Sequence, residues 1–312
     1  MSITITGGFT LAGGGWTVVP PPPSAKAIFG YGATGTQVSM TNLVSNTGVV
    51  ATDTAGVGTA RYYLAAAGYG TDKAVFGYGF NGSDLSMTNL VSNTGVVAID
   101  TTGVGTVRSQ LYAATYGTDK AIFGYGNSSA TRVSVTNLVS NTGVVATNTT
   151  GVGTARQSLA AAGYGTDKAI FGYGLTTTAV SMTNLVSNAG VVATDTAGVG
   201  TARYWLAASG YGTDKAIFGY GRLDGSNFYS LTNKVSNTGV VASDTTGVGT
   251  ARTLPGAAGF GSSGQAIFGY GSNSSFVQVS ITNLVSNTGV VASDTTGVGT
   301  ARAALAAASY GS

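Results

Sequence analysis

Ala60-Arg61-Tyr62-Tyr63-Leu64-Ala65-Ala66-Ala67-Gly68-Tyr69-Gly70-Thr71-Asp72-Lys73-Ala74-Val75-Phe76-Gly77-Tyr78-Gly79 recurs with small changes along the chain, and its division into strands and turns decides the fold. The Phe of its Phe-Gly-Tyr-Gly signature stands at Phe29, Phe76, Phe123, Phe171, Phe218 and Phe268, at spacings of 47, 47, 48, 47 and 50 residues. Six copies therefore fill the chain to its end. A fixed period of this kind marks stacked supersecondary units, and this length lies in the range of four-stranded propeller blades.

Turn chemistry divides one copy. In the second, residues 63–69 read as strand A, 70–72 as a turn, and 73–78 as strand B, a short apolar run bounded by glycines. After a variable polar loop, residues 85–91 read as strand C and 92–95 as a hairpin turn, with Gly95 where a left-handed residue is needed. Residues 96–99 form a short outer strand D, and 101–106 cross to the next copy. The expectation is an all-β protein with four antiparallel strands per unit.

Composition agrees. Of 312 residues, 50 are Gly, 43% are hydrophobic and only 8% are charged; every acidic residue is Asp. That balance favours strands and tight turns over helices. Cys and His are both absent, which removes thiolate nucleophiles, imidazole acid–base groups and the usual transition-metal ligands, so no enzyme, cofactor or metal site is expected. Isolated Asp residues make poor general-acid pairs, and no run of them has the density of a Ca²⁺ site. A net charge of +3, evenly spread, gives no reason to expect nucleic acid, and no apolar run is long enough for membrane insertion. The opening Met1-Ser2-Ile3-Thr4-Ile5-Thr6 has neither the basic nor the apolar part of an ordinary signal peptide.

Residues 1–25 stand outside the repeat, which occupies 26–312. Residues 2–11 alternate Ile3, Ile5 and Phe9 with polar positions, the pattern of a half-buried strand; a glycine-rich joint, Trp16 and a polyproline stalk at 20–23 follow. Such a strand on a stalk reads as an attachment device, with Ile3, Ile5, Phe9 and Trp16 as its contact residues, because a lone strand buries little until it pairs with another chain. The alternative is a leader packed on its own domain. The repeat is cut so that the chain begins on strand B at Lys26 and finishes on strand A at residues 301–311, one complete unit shared between the two ends. A closed ring uses such a split as a clasp that removes free edges. The expected architecture is a six-bladed β-propeller of four-stranded blades, closed by the C-terminal strand joining the first blade.

Arg61, the small-residue run 64–67, Lys73-Ala74-Val75-Phe76-Gly77 and the hairpin at 92–95 follow the order of the kelch repeat, which residues 26–312 resemble. Two departures stand out: the glycine pair is interrupted as Gly77-Tyr78-Gly79, and Val96-Val97 stand where the kelch unit has an outer-strand Trp. The near-identical copies and the Met-Ser-Ile-Thr-Ile-Thr-Gly-Gly opening also resemble repeat-containing virion and tail-fibre proteins of tailed bacteriophages, the cyanophage type in particular. That resemblance implies a non-enzymatic structural protein located in the virion, part of an oligomeric assembly, bound through its N-terminal segment to other virion proteins. A lectin-like propeller of a bacterial surface or the extracellular space, or a purely architectural spacer, are the alternatives.

Variation among the copies concentrates in the B–C loops and in the pair after each Arg, which alternation of connections places on one face. Tyr62, Tyr63, Phe80 and Asn81 mark the second unit; Tyr204, Trp205, Arg222, Asp224, Asn227, Phe228 and Tyr229 the fifth; Phe276 the sixth. Aromatic and Ser/Asn-rich loops on a rigid scaffold suit a host-surface glycan or protein. Exposed loops also drift after duplication, yet drift should have touched the opposite turns as freely. Arg61, Arg108, Arg156, Arg203, Arg252 and Arg302 would ring the mouth of a central channel on this face, attracting anions, or each would hold its crossover through the Asp eight residues before it. Asp53, Asp100, Asp195, Asp244 and Asp294 occupy five of those positions and Asn148 the sixth.

Overall fold

The computed structural model describes residues 9–12, 15–18 and 25–311. No helix occurs among them; the regular structure is all β, in small antiparallel sheets. Six of these sheets have three strands and share one plan. In the second, the inner strand Ala65–Tyr69 pairs with the middle strand Lys73–Phe80, which pairs with the outer strand Asp84–Val91. The first is assembled from both ends of the repeat: Ala306–Tyr310 is its inner strand and Lys26–Gly30 its middle strand, in register from Ala306 opposite Gly30 to Tyr310 opposite Lys26.

Each middle strand is an apolar run because both its faces are covered; Ala74, Val75 and Phe76 are fully buried. The Phe-Gly pair of the signature is the joint between units. A Cβ on Gly77 would lie 2.7 Å from Cζ of Phe123, and one on Gly269 would lie 2.8 Å from Cζ of Phe29, so each unit's glycine makes room for the next unit's ring. Tyr78 follows with φ of 64°, a conformation tyrosine rarely adopts. The strand register shifts there, and the residue is held by burial of its ring and by the hydrogen bond from its hydroxyl to the Val104 carbonyl.

The inner strands neighbour one another in a cycle. Ala306–Tyr310 packs on Ala65–Tyr69, then follow Tyr112–Tyr116, Ala160–Tyr164, Ala207–Tyr211 and Gly256–Phe260, which packs back on Ala306–Tyr310. Backbone hydrogen bonds repeat the cycle at both ends of these strands. At the A–B turns Gly70 donates to Asp119, Gly117 to Asp167, Gly165 to Asp214, Gly212 to Gly264, Gly261 to Ala25 and Gly311 to Asp72, all at 2.7 Å. At the opposite end Gln110 donates to Tyr63, Ser158 to Gln110, Trp205 to Ser158, Leu254 to Trp205, Ala304 to Leu254 and Tyr63 to Ala304, at 2.8–3.2 Å.

Three expectations need correction. Residues 96–99 do not form a fourth strand; they touch the outer strand at a single bridge, Val91 with Val97, and the crossover touches it at another, Thr88 with Thr101. Val96 is 65% and Ile99 78% exposed, so little packing supports a ladder, and the Asn89 side chain takes the Ala98 carbonyl at 2.9 Å instead. Strand A starts at Ala65 rather than 63, because Tyr63 has φ of 55° and leaves the strand path. In the leader, Phe9–Ala12 pairs with Gly15–Val18 as a hairpin, Phe9 opposite Val18 and Leu11 opposite Trp16, so this strand has a partner within its own chain. Ile3, Ile5 and the polyproline stalk lie outside the described residues.

Candidate recognition face

The six arginines do not line an electropositive mouth: all are fully buried between neighbouring units. Arg61 lies over the Tyr31 ring of the first unit at 4.3 Å and donates through Nε to the Tyr78 carbonyl of the second at 2.8 Å, through Nη1 to its own chain at Thr59 (3.0 Å), and through Nη2 to Asn89 Oδ1 at 2.7 Å. A buried cation must be satisfied in this way, since its desolvation is not otherwise repaid. The buried Asn of five outer strands, unremarked in the sequence, completes the clamp, while Asn42 Oδ1 and Arg302 Nη2 at the chain ends have no partner. Its signal was the unvarying Thr-Asn of that strand.

The carboxylate partner also differs from the expected one. Arg61 faces Asp100 of the following crossover at 3.9 Å, and Asp53 faces Arg302 at 3.8 Å across the chain ends. Asp100 accepts from the Thr59 amide and hydroxyl, at 2.9 and 2.6 Å, so each crossover is latched to the next. The third unit is the exception in its carboxylate, since Asn148 replaces Asp; Arg108 Nε has no partner, and neither does Arg252 Nε, although Asp294 faces that arginine. Burial pushes the Asp100 carboxyl up, but the hydrogen bonds from Thr59 and Asn89, with the Arg61 charge, outweigh it and hold the group below its ordinary value of 3.8; Asp53, Asp195, Asp244 and Asp294 behave alike. A depressed folded-state pKa stabilises the fold above the unfolded value and loses that contribution as pH falls through the folded one. We therefore expect the melting temperature to be flat from about pH 7 to 5 and to drop below about pH 4 as five latches protonate together, with a shallower drop in Asp100→Asn. Thermal melts across that range check it.

The variable positions gather on one face, as Tyr62 bridges Phe80 and Tyr204 bridges Arg222. The second and fifth units meet there. Tyr63 and Trp205 stack nearly parallel, with ring centroids 6.0 Å apart and planes at 13°. Tyr62 packs on Tyr63 at 4.6 Å and on Phe80 at 5.7 Å; on the other side Tyr204 packs on Trp205 at 5.0 Å, and Phe228 meets Phe276 at 5.4 Å. Arg222 joins the two groups, 4.2 Å from the Trp205 ring and 5.7 Å from those of Phe228 and Phe276. The result is a band from Phe80 to Phe276, aromatic on either side of Arg222, whose far end is open: Phe276 is 57% exposed. Burial pushes the Tyr63 hydroxyl up to about 12. Asn81 stands exposed beside the band, while Asp224 and Asn227 bond each other within their own loop; Tyr229 is half-buried. The third and fourth units give this face a polar sector instead, where Gln157 and Ser158 donate to Gln110 Oε1 at 2.9 and 2.7 Å.

Behind the band lies an axial cavity of about 410 Å³, lined by the small residues of the inner strands. Tyr112 narrows it: where other units place Ala or Gly, this ring crosses the lumen and donates to the Leu206 carbonyl at 3.2 Å, and burial raises its hydroxyl pKa. The sequence carried that signal as one bulky residue at an otherwise small position. No group of acidic residues that could hold a metal ion occurs among the described residues.

No known family model matches the chain, and no curated protein matches it. Fold and site together define a class: an all-β repeat protein with one constant and one varied face.

Proposed function

We propose that the six sheets are the blades of a six-bladed β-propeller closed by its C-terminal strand, and that this propeller is a non-enzymatic recognition module whose varied face binds a host-surface glycan. The pairing of Ala306–Tyr310 with Lys26–Gly30 and the two hydrogen-bond cycles support the closed ring. The observation that carries the recognition reading is the aromatic band, because aromatic faces offer large, rigid contact area at low entropic cost, and sugars present apolar C–H faces that fit it. The module is set in a virion appendage such as a tail fibre, held there by its N-terminal segment. A lectin-like propeller of a bacterial surface would use the same band.

A second reading has its own support. Tyr63 and Trp205 are half-buried over the axis, so the band also serves as a plug, which suits an architectural spacer. Glycan-array binding by the full chain separates the two readings. Recognition predicts binding that Tyr204→Ala and Trp205→Ala weaken at least tenfold, on the order of the 1.4 kcal/mol this represents, with the melting temperature as control for folding. A face found covered by another subunit in the assembled particle overturns recognition and leaves the spacer.

A further inference from the structure

We infer that Arg222 is the specificity-determining residue of the face and that the sugar it selects carries a carboxylate, as a uronic or sialic acid does. This rests on the reading of the band as a glycan-binding surface and names the class of glycan.

The backbone of Arg222 is fixed by reciprocal hydrogen bonds with Tyr204, both at 2.9 Å. Its side chain makes one hydrogen bond, from Nε to the Tyr204 hydroxyl at 3.1 Å, and its two terminal nitrogens have no partner among the described residues. The clamp arginines offer a comparison: all six are fully buried, and Arg61, Arg156 and Arg203 bond through all three nitrogens to two carbonyls and an Asn oxygen. Arg108, Arg252 and Arg302 each leave one nitrogen unpaired, whereas Arg222 leaves both terminal nitrogens unpaired. Arg222 has instead a wall of rings, with Trp205 at 4.2 Å and Tyr204 at 5.2 Å from its centre. Ring faces attract a cation but accept few of its N–H groups, so the fork remains free for a ligand.

One carboxylate, Asp224, feels the Arg222 charge but makes no ion pair with it. Asp224, two residues on, accepts the amides of Ser226 and Asn227 at 2.8 and 2.9 Å and both oxygens take the Asn227 side chain, so this acid is committed to shaping its own loop. No acid lies within ion-pair distance of Arg222 among the described residues. A positive charge held at the middle of an aromatic band, half-buried and with free planar donors, matches a carboxylate on a ring whose C–H face rests on the neighbouring aromatics, with Phe276 the most exposed of them. A neutral sugar would meet the rings but leave the fork without its strongest partner.

The test uses the full chain with four immobilised probes: trigalacturonic acid, its methyl ester, sialyllactose and lactose. Binding to at least one acid is expected to be about tenfold or more tighter than to its uncharged counterpart, the difference a charge-assisted pair supplies. Which acid is bound distinguishes uronate from sialate. Arg222→Gln should abolish the preference, and Arg222→Lys, which keeps the charge without the fork, should retain part of it. Arg222→Lys should melt with the parent and Arg222→Gln only a few degrees lower, since the side chain makes a single hydrogen bond and its other contacts are ring faces. Equal binding of acid and neutral probes, or a preference that survives Arg222→Gln, overturns the inference while leaving the glycan-binding reading standing. Binding to none of the four overturns the inference as well, and only a blank glycan array extends the failure to that reading.

Discussion

Arg61→Ala is expected to destabilise the protein by about 3–5 kcal/mol, the cost of removing one member of a buried, hydrogen-bonded charge cluster. The side chain is fully buried, so solvent does not screen the loss. Its removal leaves the Tyr78 carbonyl and Asn89 Oδ1 without donors in the interior, strips Asp100 of its cation and opens a cavity against the Tyr31 ring. For a chain of this length that corresponds to a melting temperature lower by roughly 5–8 °C. The protein supplies its own comparison. Arg108 has no Asp facing it and an unpaired Nε, so Arg108→Ala should cost less than Arg61→Ala, with the gap of about 1 kcal/mol expected for the missing charged contacts. Chemical denaturation of the two variants side by side checks both the size and the order. A loss at Arg61 no larger than that of an exposed residue would contradict the clamp.

Much of this was readable in the sequence, and the boundary has a physical cause. Turns are local: Gly95 with φ of 84° and the Gly70-Thr71 corner, both residues left-handed, stand where the turn chemistry placed them. The pairing of the chain ends was readable from where the copies are cut, and strand Ala306–Tyr310 lies on Lys26–Gly30. Contacts between units are another matter, because a spacing of eight residues does not say on which side of an interface a pair closes. Asp53 thus meets Arg302 rather than Arg61. Of the two readings of the guanidiniums, the channel mouth and the hold on a crossover, the structure has the second, with the side chains buried and the Asp supplied by the next crossover. On the varied face, Tyr63 and Trp205 were identified by their variability, but as marks of two separate units; their stacking depends on the lumen being narrow enough for rings to meet across it. The outer strand failed for lack of company, since Val96 and Ile99 satisfy strand propensity with nothing to pack against.

Removal of residues 303–312 is expected to have the largest effect of any change to the chain. It deletes the inner strand of the first sheet and breaks both hydrogen-bond cycles, through Ala304 and Gly311. It also bares Ile28 and Leu64, which pack with Ala306 and Ala308 in one core cluster. Two inner strands, Ala65–Tyr69 and Gly256–Phe260, would lose a neighbour at once. An open row of units exposes two unpaired ends where unfolding can begin, whereas a closed one has none. The truncated chain should therefore lose cooperative unfolding and expose apolar surface. The aromatic band depends on closure, because only a closed ring brings Tyr63 of the second unit against Trp205 of the fifth. Hydrogen exchange on the intact chain tests this most directly. The closing amides of Gly261 and Gly311, which donate to Ala25 and Asp72, should exchange as slowly as those of Gly117 and Gly165 within the repeat. Fast exchange at Gly261 and Gly311, with protection confined to Gly117 and Gly165, would contradict it.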